Sequence, residues 1–243
     1  MKIAIVGCGW VGVRLSAYLK QKGHHLIATT TSPEKVQQLK TVASQVYLFD
    51  FTNTEEIPAC ETLDAVIFSM PAASPNWHAG FKKLELETNH SVFFSSTGIY
   101  PQQNGVFTEE NKEGLRADLV SAERTVSAKY PQTIVLRLGG IMGDGRSLQN
   151  FYRSKSPPDP EKLANHIHFT DIILAVEAVL NSPPAGETYN LVAPVHPTVG
   201  EILDLEVHRS DDSADGVNGR IISSQKFIDD FNYTFKHPNP KYF

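Results

Sequence analysis

The strongest constraint on the fold lies in the first twelve residues, where the apolar run Ile3-Ala4-Ile5-Val6 passes directly into Gly7-Cys8-Gly9-Trp10-Val11-Gly12. A short apolar run closed by glycines has the pattern of a buried strand ending in a turn. Val11, Leu15 and Leu19 then recur at four-residue spacing as far as Gly23, where a glycine that ends a helix belongs. Strand, glycine loop and helix therefore follow one another without a break. In such a unit the three glycines act differently. Gly7 turns the chain, Gly9 lets the backbone approach a pyrophosphate with no Cβ in the way, and Gly12 lets the helix pack close to the strand. The helix N-terminus would face the phosphates with unpaired N–H groups and the positive end of its dipole, a preference for an anion of about 0.3–1 kcal/mol. Gly7, Cys8, Gly9, Trp10, Val11 and Gly12 are accordingly expected to bind a dinucleotide.

The alternation continues along the chain. His25-Leu26-Ile27-Ala28, Val46-Tyr47-Leu48-Phe49, Ala65-Val66-Ile67-Phe68, Ser91-Val92-Phe93-Phe94 and Thr133-Ile134-Val135-Leu136 read as further strands. Helical patterns separate them: Ser32-Pro33-Glu34 opens one with a cap, a first-position proline and a first-turn acid, and Trp77 to Leu86 forms another. Strands alternating with helices specify an α/β fold, a Rossmann-type doubly wound parallel sheet. At 243 residues the chain can bury roughly 70–75% of its unfolded surface, enough for one large core. The expected organisation is a single domain over 1–243 with a small C-terminal substrate lobe built mainly from 140–170 and 186–243. There Tyr189-Asn190-Leu191-Val192 is strand-like, Thr198 caps a helix, and 208–219 is an acidic, glycine-containing loop.

Charge and cysteine usage narrow the classes. The net charge of −5 comes without a basic stripe, so nucleic acid is not an expected partner. No apolar stretch approaches the roughly 18 residues of a membrane span, and the chain starts with a strand rather than a signal segment. Cys8 and Cys60 are far apart and form no C-x-x-C, which suits reduced thiols and a cytoplasmic location. Cys8 reads as a small filler in the glycine loop.

Ligands of doubly wound sheets sit at the carboxyl ends of the strands. Besides the glycine loop, the cofactor-binding candidates are Thr30, Thr31 and Ser32 after the second strand, Asp50 and Phe51 after the third, and Met70 and Pro71 after the fourth. Asp50 can bond the exocyclic amine of adenine and Phe51 its ring face. A carboxylate after the second strand would bond the ribose 2′-OH of NAD and repel a 2′-phosphate. Hydroxyls stand there instead, with Lys35 and Arg14 near in sequence, which favours NADP over NAD.

Four stretches fall in one register: Ile3 to Gly12, Phe94-Ser95-Ser96-Thr97-Gly98-Ile99-Tyr100, Leu136-Arg137-Leu138-Gly139-Gly140-Ile141-Met142-Gly143 and Ile167-His168-Phe169-Thr170-Asp171. On these the chain resembles the extended short-chain dehydrogenases/reductases, within the NAD-dependent epimerase/dehydratase superfamily, and most its atypical branch with a G-x-G-x-x-G loop. The resemblance implies a Rossmann domain holding NAD(P), with a small lobe closing over a substrate. It also implies a Ser/Thr, a Tyr and a Lys four residues after the Tyr as the proton-handling group. Ser96 matches the first. Aligned by Glu123, however, the Tyr and Lys positions hold Leu115 and Leu119, which with Ala122 and Val126 make an apolar stripe.

The catalytic candidates are therefore Ser96 and Tyr100, the phenol being the available proton donor on the ligand edge, although a packed aromatic is the alternative for Tyr100. Arg137 fits either a substrate anion or a structural ion pair. His166 and His168 form an i, i+2 pair, and two histidines without a third ligand make a poor metal site, so no metal is expected. Two functions stay open. One is an oxidoreductase or epimerase-like enzyme taking a small-molecule substrate through a non-standard active site; the other is an NAD(P)-binding sensor or regulator with little turnover. A homodimer is compatible with both.

Overall fold

The computed structural model describes residues 1–50, 62–72, 77–205 and 219–243. Phe51, Cys60 and nearly all of the acidic loop expected at 208–219 lie outside the described residues. In chain order the elements are β1 (Lys2–Val6), α1 (Trp10–Gln21), β2 (His25–Thr30), α2 (Val36–Leu39), β3 (Gln45–Leu48), β4 (Ala65–Phe68), α3 (Trp77–Lys83), β5 (Ser91–Ser96), β6 (Gly105–Phe107), α4 (Ala117–Lys129), β7 (Ile134–Leu138) and β8 (Gly140–Met142). They continue with α5 (Leu148–Phe151), β9 (His166–His168), α6 (Phe169–Leu180), β10 (Thr188–Leu191), α7 (Val199–Ile202), β11 (Arg220–Ile222) and α8 (Gln225–Phe231).

Seven strands form one parallel sheet in the order β10-β7-β5-β4-β1-β2-β3. From β1 the chain runs outward through β2 and β3, then crosses back so that β4 pairs with the other side of β1, Ile3 against Ala65 and Val6 against Phe68. The order thus reverses between β1 and β4, which places the switch point directly over the glycine loop. The fold class expected from the alternation is the one observed. One strand lies elsewhere than expected: that of the C-terminal lobe is β10, which extends the main sheet, Val135 donating to Glu187 O and Gly139 to Leu191 O. Its Tyr-Asn-Leu run is buried because it is a sheet strand.

By its contacts the chain divides into two compact units. The first comprises Met1–Ser95, Ala117–Leu136 and Val176–Thr188. Its core is made by the strands' apolar residues with Trp77, Phe81, Ala122 and Val126 from the helices and Tyr130 just after α4. Trp77 stacks on Phe81 at 4.9 Å, and Phe81 meets Phe68 edge-on at the same distance. Helix α1 buries Val11, Gly12, Leu15, Ser16 and Leu19. It ends as the sequence requires: Gly23 takes φ +85, its N–H bonds Lys20 O, and the N–H of His24 bonds Leu19 O.

The second unit comprises Ser96–Arg116, Arg137–Ala175 and Tyr189–Phe243. It starts earlier than the lobe expected from sequence, because the three-residue strand β6 pairs with β11, Gly105 to Arg220 and Phe107 to Ile222. Such short strands carry too few residues for a periodic signal. Strands β8 and β9 form a second small ladder, with His166 and His168 packed over Gly140 and Gly143, where a side chain would collide with the imidazoles. An aromatic group of buried Tyr189, Phe227 and Phe235 with half-buried Tyr233 closes this unit's C-terminal part. Thr198 caps α7 as expected, in a reciprocal box with Glu201.

Candidate functional site

In the first unit the residues after β1 and β4 come together. Gly7 sits at φ +81, and a Cβ there would lie 2.6 Å from the Cβ of Met70 and 2.9 Å from its backbone nitrogen. Only glycine satisfies both the turn and the contact. The turn is pinned to β2, since the N–H of Gly7 donates to Thr29 Oγ1 (2.9 Å) and that of Cys8 to Thr29 O (2.7 Å). Gly12 packs the helix onto the strand: a Cβ there would meet Cys8 Sγ at 3.1 Å and Ile5 Cγ2 at 3.4 Å. Cys8 is buried beside Ser16 Oγ at 3.6 Å, and burial pushes its thiol up to about 11, so it stays a neutral filler.

The loop also leaves room for an anion. At Gly9 the nearest atom to an added Cβ is Gly7 O, 3.9 Å away. Gly9 is the N-cap residue of α1 and supplies no side chain to cap it, and the first turn carries no acid. The helix dipole and leading N–H groups are thus left to a ligand rather than to the chain itself. These residues fit a cofactor's pyrophosphate.

The other expected cofactor residues fall at the sheet's carboxyl edge. Thr30 is the last residue of β2 and is buried, its hydroxyl accepting from the N–H of Ser32 at 3.2 Å, whereas Thr31 is exposed. Ser32 precedes a 3₁₀ turn over Pro33–Lys35 but makes no side-chain cap bond to it, so its expected capping role is not observed. Arg14 lies on α1 with its guanidinium 3.8 Å over the Trp10 ring and bonded to Trp10 O. Asp50 follows β3 by two residues, and Pro71 continues the loop from Met70.

The two expected catalytic residues diverge. Ser96 ends β5 and is exposed; its Oγ accepts the N–H of Gly98 at 3.0 Å, which leaves the hydroxyl proton to be donated outward. Tyr100 does not present a phenol. It is 1% exposed, its OH accepts from Arg137 Nη1 and donates to Asn190 Oδ1, both at 2.8 Å, and burial raises its pKa. The network goes on through the Asn190 N–H, which donates to Glu109 Oε1 at 2.6 Å. Tyr100 is the packed aromatic of the two alternatives, and Arg137 is its structural partner. Glu109, buried at 7%, is hidden in the sequence within a polar run that looks solvated.

Helix α4 agrees with the apolar stripe over Leu119, Ala122 and Val126, all buried, while Leu115 lies before the helix and is half-buried. Glu123 accepts from Ser95 Oγ at 2.6 Å within the first unit. In the second unit His168, Asp171 and His237 gather with ligand-type atoms within 4.8 Å of one another. The Asp171 carboxylate already accepts the N–H groups of Lys236 (2.7 Å) and His237 (3.0 Å) and the Tyr233 hydroxyl. The two imidazole ring centroids lie 3.8 Å apart with their planes tilted by 32°. The cluster ties the C-terminal segment to the start of α6.

No family model matches the chain. Among curated proteins it is 26% identical to Protein YeeZ of Escherichia coli K12, covering 98% of this chain and 97% of that one. Among solved structures it is similar to a dTDP-glucose 4,6-dehydratase from Bacillus anthracis in complex with NAD, with a TM-score of 0.74 at 16% identity over 99% and 94% of the two chains. It is likewise similar to a UDP-glucuronic acid 4-epimerase from Bacillus cereus in complex with UDP-glucuronic acid and NAD, with a TM-score of 0.72 at 15% identity over 97% and 94%. The chain shares the fold of these two proteins. At these identities the likeness is one of fold. Among the described residues no helix is long and apolar enough to cross a membrane.

Proposed function

We propose that this chain binds a nicotinamide dinucleotide and acts on a small-molecule substrate as an oxidoreductase or epimerase-type enzyme with a non-standard proton relay. The observation that carries the reading is the glycine loop at the switch point: Gly7 fixed against Met70, Gly9 open, and α1 beginning without a side-chain cap or an acid. The pyrophosphate would lie on Gly9 and the first turn of α1, with Asp50 toward the adenine and Thr31 and Ser32 toward the ribose. The absence of a carboxylate after β2 supports NADP over NAD. The nicotinamide, when bound, supplies hydride transfer. Ser96 donates its hydroxyl to a substrate oxygen, while Tyr100, held between Arg137 and Asn190, shapes the second unit without moving a proton.

The neighbours with nucleotide-sugar names support a polar, hydroxylated substrate class. A second reading, a cofactor-binding sensor or regulator, is favoured by one observation: Leu119 is buried core and Tyr100 is engaged, so neither provides the usual proton donor. Fluorescence titration with NADPH and NADH tests the proposal. Saturable binding with NADPH tighter supports it, tighter NADH reverses the cofactor preference, and binding of neither removes it. Hydride exchange with a substrate panel then separates enzyme from sensor.

A further inference from the structure

In the second unit, a guanidinium and a hydroxyl converge over the backbone of Gly98. The point at which a side chain on Gly98 would begin is 3.1 Å from Ser96 Oγ and 3.7 Å from Arg116 Nη1. Among the described residues nothing else lies within 4 Å of that point once the chain neighbours are set aside. Ser96 is held in place because its Oγ accepts the Gly98 N–H, and Arg116 because its own N–H donates to Ile99 O at 2.9 Å. Both side chains are exposed. The glycine at 98 lets both groups approach its backbone closely, and its φ is not in the left-handed region, so the missing Cβ here serves the close approach rather than conformation.

We infer that Ser96 and Arg116 form an oxyanion subsite, so that the substrate carries a carboxylate or a phosphate which Arg116 holds beside the Ser96 hydroxyl. This rests on the reading of Ser96 as the substrate-side hydroxyl. A guanidinium offers five donors in a planar fork that matches the two oxygens of a carboxylate or phosphate, and it can serve one further acceptor while doing so. It stays protonated at every working pH, so Arg116 is a binding and orienting residue, not an acid or a base. The Ser96 hydroxyl, whose oxygen alone serves Gly98, directs its proton at the same oxyanion.

The test is titration of NADP-saturated protein with inorganic phosphate and, separately, with acetate, at constant ionic strength, followed by chemical-shift changes. Saturating the cofactor site keeps phosphate off the glycine loop. Arg116→Gln should weaken binding by about tenfold or more, the usual weight of a charge-assisted bond. Arg116→Lys should recover part of the loss, since it restores charge without the fork. Gly98→Ala should weaken binding at least about threefold by placing a methyl 3.1 Å from Ser96 Oγ, with unfolding followed in parallel; it gives the readout if Arg116→Gln disturbs folding. Phosphate shifting signals where acetate does not would identify the group as a phosphate, and the reverse as a carboxylate. Affinity for both anions within twofold of the parent in Arg116→Gln and Gly98→Ala would overturn the inference. The same titration on Gly9→Val without cofactor separates the two readings: anion binding that survives there supports this subsite even if NADP binding is never found.

Discussion

The tightest structural constraint on the cofactor loop can be measured as stability. Gly7→Ala introduces two penalties that the structure separates. A Cβ-bearing residue at φ +81 costs roughly 1–2 kcal/mol for its left-handed backbone. The new methyl also lies 2.6 Å from Met70 Cβ and 2.9 Å from Met70 N and Cα, a collision with backbone that no rotamer relieves, at about 1–3 kcal/mol for overpacking. Gly23 is the internal control. It has nearly the same φ, +85, and nothing within 4 Å of an added Cβ, so Gly23→Ala carries only the conformational penalty. Urea unfolding should therefore show Gly7→Ala losing about 2–5 kcal/mol and Gly23→Ala about 1–2, with equal m-values. In a chain of this length 3 kcal/mol lowers Tm by roughly 6–12 °C. If the two variants lose the same stability, β1 and β4 do not bring Gly7 and Met70 into contact, and the switch point is not packed over the glycine loop.

Two further predictions concern the second unit. His166 is held down to about 4 by burial, with Lys162 adding to the shift, so the folded chain takes its proton only near pH 4 while the unfolded chain takes it near 6.5. The neutral ring's contribution is complete above pH 6.5 and is lost as pH falls toward 4, by about 3 kcal/mol, and His166→Asn should flatten that slope in acid unfolding curves; an unchanged slope would show that His166 is not the group responsible. Tyr100→Phe should destabilise by about 1–3 kcal/mol, because Arg137 and Asn190 each lose a buried partner, and should leave NADPH affinity unaltered. A lower turnover rate at unchanged stability would return Tyr100 to the chemistry.

What the sequence shows well is the first unit. Its strands are apolar runs bounded by glycine, proline or polar clusters, and the edges of β1, β4 and α1 follow from local residues alone. The glycine loop is readable because its three glycines answer to three separate local demands, and the structure shows the turn at Gly7 and the close helix–strand packing at Gly12. The second unit is less legible for a physical reason: many of its elements are three or four residues long and its contacts span great sequence distances. β6 pairs with β11 across more than a hundred residues, and Asp171 meets His237 66 residues on. Tyr100 shows the same limit within the site. Its place after β5 suggests the ligand edge, but its direction is set by Asn190, 90 residues away, and by Arg137. Arg116 has no signal in the sequence, since only the fold brings it over Gly98.

The central claim is that the loop over β1 and α1 holds a nicotinamide dinucleotide, and Gly9→Val tests it most directly. Gly9 has an ordinary φ of −85, and an added Cβ meets nothing closer than 3.9 Å, so the variant should fold with stability within about 1 kcal/mol of the parent. The branched side chain would then occupy the space left for the pyrophosphate. Fluorescence titration of the folded variant with NADPH and NADH should show affinity reduced by about a hundredfold or more, the loss of roughly 3 kcal/mol of phosphate contacts. A folded Gly9→Val protein that binds either cofactor as tightly as the parent would contradict the account.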